Sequence, residues 1–233
     1  MKLGIIQKIG GTMKQLLRYI GIWIIGGLLI VGCRQNIGPD KMAQCLYQFY
    51  IQEDMTEIES LNLTSKSAKA IINSSVQSFE EELEQSLKRI SGKHNVVINK
   101  AQINKAIIAR RELEKQLSVQ VEVILTEKNS AKVKVDTTYF NESSIYDKAS
   151  TALEEKMKDI KVEDEDAYVQ QCIDTYLDEI IKAYQEAEVS TDYKSIQTEF
   201  VKQKDSWRPA DQQMFINQLA NLTSGYDVEL RGE

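Results

Sequence analysis

The chain has 233 residues, 42% of them hydrophobic and 27% charged, and the average conceals a sharp division between its first 33 residues and the rest. Those 33 carry Lys2, Lys8, Lys14 and Arg18, no Asp or Glu, and seven of the 11 glycines; without those four cations the remainder holds 25 basic against 35 acidic residues, a net charge of −10. Such a surface argues against a DNA or RNA partner, whose phosphates demand clustered Lys and Arg. A single histidine, His94, removes most His-based metal sites and weakens any nucleophile and base scheme.

Tyr19 to Val31 reads YIGIWIIGGLLIV, 13 apolar residues preceded by Arg18 and followed by Gly32-Cys33. A spanning helix needs about 20 apolar residues and a signal-peptide core only ~7–15, so residues 1–32 are expected to be an export signal. Its end, Ile30-Val31-Gly32-Cys33, resembles the lipobox of bacterial lipoproteins. The resemblance implies cleavage between Gly32 and Cys33 and attachment of diacylglycerol to the Cys33 sulfur. Two acyl chains account for stable anchoring, since one alone binds membranes marginally. Met13 opens a shorter signal with its own basic segment, and codons for Ile9-Gly10-Gly11 can spell a ribosome-binding hexamer just upstream, so translation is expected to start at Met13.

After Cys33, residues 34–39 form a tether reaching at most ~20 Å, and 40–233 is expected to form one extracytoplasmic α+β domain. Pro39 opens a first helix with Met42, Cys45, Leu46, Phe49 and Tyr50 on one stripe. A second helix is predicted from Ser65 to Ile90, stopped by Gly92, and a third from Asn99 to Leu117. The period then shortens to two: Val119, Val121, Val123 and Leu125 form the apolar face of one strand, and Ala131, Val133, Val135, Thr137 and Tyr139 that of its hairpin partner. Helices return over 144–161 and 163–187, followed by a strand over 193–204 and a closing helix over 211–222. Long helices packed on a small antiparallel sheet are the expected architecture.

No glycine-rich phosphate loop and no nucleophile or zinc-protease motif occurs after Cys33, so neither a cofactor nor a metal is expected and the chain is not read as an enzyme. His94 lies in a turn and reads as a surface residue. Carboxylate pairs, the one catalytic apparatus left, would suit a cell-wall glycosidase, but charged helix faces explain them as well. Cys45 and Cys172 fall on apolar helical faces, where a free thiol acts as a small hydrophobe. Export also permits a disulfide between them, worth about 5 kcal/mol in the chain-entropy picture. Phe200, Trp207, Tyr139 and Tyr193 read as core or as pocket lining.

The run Phe200-Val201-Lys202-Gln203-Lys204-Asp205-Ser206-Trp207-Arg208-Pro209, with Phe215 after it, resembles the ending of a family of uncharacterised Gram-positive lipoproteins classed as a domain of unknown function. Such endings are also similar to nuclear-transport-factor-2-like and cystatin-like folds, in which a helix packs on a curved antiparallel sheet. The long helices between Thr64 and Leu117 depart from that plan. The resemblance implies no catalytic residues and transfers Cys33 alone. Together these readings describe a lipoprotein held on the outer face of the cell membrane, whose domain binds a small ligand or an envelope protein. A wall-active hydrolase and an envelope assembly factor are the alternatives.

Overall fold

The computed structural model describes residues 37–161, 163–204 and 206–227, and Gly32, Cys33 and the rest of the targeting segment lie outside them. The described residues hold six α-helices and a four-stranded antiparallel sheet, an α+β fold. Within 40–233, expected as one domain, they cluster into two compact units. A helical unit comprises Val76–Leu113 and Asn141–Glu188; a sheet unit comprises 37–75, Glu114–Phe140 and 189–227.

In the sheet unit α1 spans Pro39–Tyr50, with Pro39 in the first turn where its missing N–H costs nothing. It buries Met42, Cys45, Leu46 and Phe49 as their spacing predicts, whereas Tyr50 is only half-buried. Tyr47, off the predicted stripe, is fully buried, and its hydroxyl is satisfied there by Thr137 Oγ1 at 2.5 Å. Strands β1 (Val119–Thr126), β2 (Ser130–Thr137), β3 (Lys194–Gln203) and β4 (Ser206–Pro209) follow one another across the sheet. Register places Val121, Val135 and Ile196 in one row and Val123, Val133 and Thr198 in the next. Phe200 lies between Ala131 and Pro209. This face is covered by α1, which packs on β1, β2 and β4, and by α6 (Gln212–Thr223), which packs on β3 and β4.

Two strand expectations are corrected. The register shifts between Val123 and Leu125, so Leu125 pairs with Lys132 on the opposite face and is 54% exposed. A bulge inserts one residue and thereby reverses the alternation beyond it. The strand expected over 193–204 is also followed by a second strand, Ser206–Pro209, where the sequence suggested only a connection to the closing helix. Lys204, at φ 55°, reverses the chain before it, and Pro209 is tolerated at the end of this edge strand.

The helical unit contains α2 (Ser65–Ser91) from Val76 onward, α3 (Lys100–Glu114), α4 (Glu142–Met157) and α5 (Glu165–Gln185). Gly92 follows α2 at φ +64°, the left-handed conformation that ends helices at glycine. Helix α3 stops three residues before the predicted end at Leu117. Helix α4 begins two residues before its predicted start because Asn141, not a later residue, caps it and accepts from Ser144 N at 3.0 Å. Asp164 does the same for α5, accepting from Asp166 N at 2.9 Å.

Candidate functional site

The buried faces of α3 and α4 are apolar but each carries charge. On α3 the buried positions are Ile103, Ala106, Ile107, Ala109, Arg110, Leu113 and, at its last residue, Glu114; on α4 they are Glu142, Ile145, Tyr146, Ala149, Leu153 and Met157. A charge on such a face must meet its opposite or remain in water. Arg110 and Glu142 meet: Arg110 Nε lies 3.1 Å from Glu142 Oε1, with the two side chains 5% and 1% exposed.

Helix α5 contributes the rest of the network. Tyr184 donates its hydroxyl to Glu142 Oε1 at 3.0 Å, and its oxygen stands 3.2 Å from the hydroxyl of Tyr146. Since the Tyr184 proton is committed to the carboxylate, Tyr146 is the donor of the second bond. Burial, then the adjacent Glu142 carboxylate, pushes both phenols well above the ordinary tyrosine range, so both stay protonated. Their rings meet edge to face at 6.4 Å. The other carboxylate oxygen, Glu142 Oε2, is buried and has no hydrogen-bond partner among the described residues.

Beside this network lies a cavity of about 20 Å³ with an apolar surface. All four helices wall it: Phe79 from α2, Ala106 and Arg110 from α3, Tyr146 from α4, and Tyr176 and Tyr184 from α5. Phe79 is half-buried while the other five are buried, and the Arg110 guanidinium lies 5.7 Å from the centre of its ring. The carbon faces of the tyrosines turn to the cavity while the hydroxyls of Tyr146 and Tyr184 are held in the network.

The residues singled out by sequence do not converge on this site. Cys45 and Cys172 are free, so the disulfide is not formed; each thiol is buried in the core of its own unit, Cys45 on α1 and Cys172 on α5. Burial raises both thiols, Cys172 to about 11, which keeps them protonated and inert. His94, read as a surface residue, is half-buried and its Nδ1 lies 2.8 Å from Asp166 Oδ1; that bond holds the Asp166 carboxyl below the usual range. Gln170 fastens the same α2–α3 loop from α5, accepting from Val97 N at 2.7 Å and donating to Val97 O at 2.9 Å. Phe200 and Trp207 are core, Tyr139 is half-buried and Tyr193 is 44% exposed, so these four do not line a shared pocket. The buried Glu142 and Glu179 are each bound to a cation, Glu179 to Lys156 Nζ at 2.5 Å. Among the described residues there is no cluster of three His, Cys, Asp or Glu placed to hold a metal.

Arg110, Glu142 and Tyr146 escaped the sequence reading, although a charge on an otherwise apolar face was a usable signal; Tyr184 was legible only as part of the apolar face of its helix. No helix among the described residues is long and apolar enough to cross a membrane. Neither a family model nor a curated protein matches the chain. Among solved structures the chain is similar in fold to that of a candidate lipoprotein, ycdA, from Bacillus subtilis subsp. subtilis str. 168, with a TM-score of 0.53 at 15% identity. The likeness covers 79% of this chain and 55% of the neighbour, so this chain spans about half the length of that structure.

Proposed function

We propose that this chain is a Gram-positive lipoprotein, anchored on the outer face of the cell membrane through diacylglycerol on Cys33, whose folded portion serves as a binding module. The observation that carries the reading is Ile30-Val31-Gly32-Cys33 at the end of a basic and then apolar segment of signal-peptide length. The similarity in fold to a Bacillus subtilis structure described as a candidate lipoprotein supports it. The cavity of the helical unit supports the binding half, because ligand sites of helical bundles form where facing helices leave an apolar space.

The test is the intact mass of the full-length gene product extracted from membranes of a Gram-positive host. The expected species begins at Cys33 and carries diacylglycerol, whereas Cys33→Ala yields an unacylated chain that retains the signal segment through Gly32. A wild-type chain that is unacylated and uncleaved overturns the proposal.

A further inference from the structure

We infer that the cavity of the helical unit is a binding site for a short alkyl group, the apolar end of a small molecule that enters past Phe79. The inference rests on the binding half of the function proposed above and names the chemistry of what is bound. Three observations lead to it. The cavity exceeds the space of one water molecule, yet its surface offers no polar partner, and water enters such spaces only when it finds two or more. A native interior is packed to crystal-like density, so a void walled by all four helices of a unit is an exception to its surroundings.

Its walls are also shaped for hydrocarbon. Ala106 stands between Ile103 and Ile107 on the buried stripe of α3, and its short side chain leaves the room. Tyr146 and Tyr184 present ring carbon because their hydroxyls are committed to each other and to Glu142. Access has one evident place, since Phe79 is the wall residue that remains half-exposed, while Arg110 over its ring holds it across the entrance. The size admits a group of one or two carbons, which selects the end of an alkyl chain over a fused ring or a charged head.

The experiment uses the full chain in phospholipid nanodiscs, free of detergent whose alkyl tails would compete for the site, with fluorotyrosine incorporated and the resonances of Tyr146, Tyr176 and Tyr184 identified by single Tyr→Phe substitutions. The probes are xenon under pressure and n-pentane. The expected result is a saturable shift of those three resonances while Tyr47, buried in the sheet unit, and exposed Tyr193 stay still. Ala106→Val fills the space and should weaken the response by about tenfold or more, with circular dichroism unchanged; Ala106→Leu should abolish it, and the Val variant decides the matter if the Leu variant fails to fold. Equal shifts at Tyr47 and Tyr146, an undiminished response in Ala106→Val, or a long-lived water in the cavity seen by magnetisation transfer would each overturn the inference. All three outcomes leave the lipid anchor at Cys33 standing, because the intact mass tests it separately.

Discussion

Arg110 and Glu142 neutralise each other in a place where neither could stand alone. Removing one partner of a buried pair strands the other, which costs about 3–5 kcal/mol, whereas replacing both with apolar groups of similar volume is often neutral. Arg110→Met is therefore expected to lower the urea stability by about that amount, and Arg110→Met with Glu142→Leu to recover most of it. The unpartnered Glu142 Oε2 sharpens the expectation, because the pair already carries an unsatisfied acceptor that the double variant removes. If the double variant is no more stable than the single one, the network is needed for packing rather than for charge balance. The cysteines give a second prediction at this scale. Burial raises the Cys172 thiol to about 11 and Cys45 in the same direction, so neither should react with a thiol reagent at neutral pH in the folded chain. Both should react once urea unfolds it. A native chain that titrates two thiols at once would contradict the burial of both.

Elements carry their information in periods, and that governs how far they could be read. The six helices and strands β1 to β3 were legible because each repeats its apolar positions at 3.6 or 2 residues for several turns or pairs. Strand β4 was not, since four residues that include Trp207, Arg208 and Pro209 are too few to show a period and look like a connection. Leu125 misled for another reason. Its place in the alternation is set by which residue of β2 it faces, and a bulge is a property of that pairing rather than of either strand alone. The consequence is measurable. Leu125→Thr, at a 54% exposed position, should change the unfolding free energy by no more than about 0.5 kcal/mol. Phe200→Ala, between Ala131 and Pro209 on the covered face and 0% exposed, should cost about 3–5 kcal/mol. Equal losses in chemical denaturation would place Leu125 back on the inner face. The cavity was beyond the sequence in principle, because a void is what four packed helices leave over and no single stripe records it.

At the scale of the whole molecule, tyrosine ionisation joins the stability of both units to alkaline pH. Burial raises Tyr47 and Tyr50 in the sheet unit, Tyr50 to about 12, and it raises Tyr146, Tyr176 and Tyr184 in the helical unit. In the unfolded chain these phenols titrate near their ordinary value of 10.0. Above that pH the unfolded state has released protons that the folded state still holds, so it is the unfolded state that further base favours. The stabilisation is thus fully present below pH 10 and is lost as the pH climbs; for Tyr50 the loss runs from 10 to about 12. Each protected phenol contributes a slope of up to about 1.4 kcal/mol per pH unit in that window. Thermal melts on either side of pH 10 should show a steep fall in Tm, and the phenolate absorbance of these five buried tyrosines should rise together with the loss of helical circular dichroism rather than before it. Tyr50→Phe removes one titrating group and should make the fall shallower between pH 10 and 12. If the absorbance of all ten tyrosines instead rises smoothly while the circular dichroism holds, the phenols are open to solvent, and the buried network around Glu142 is not as described.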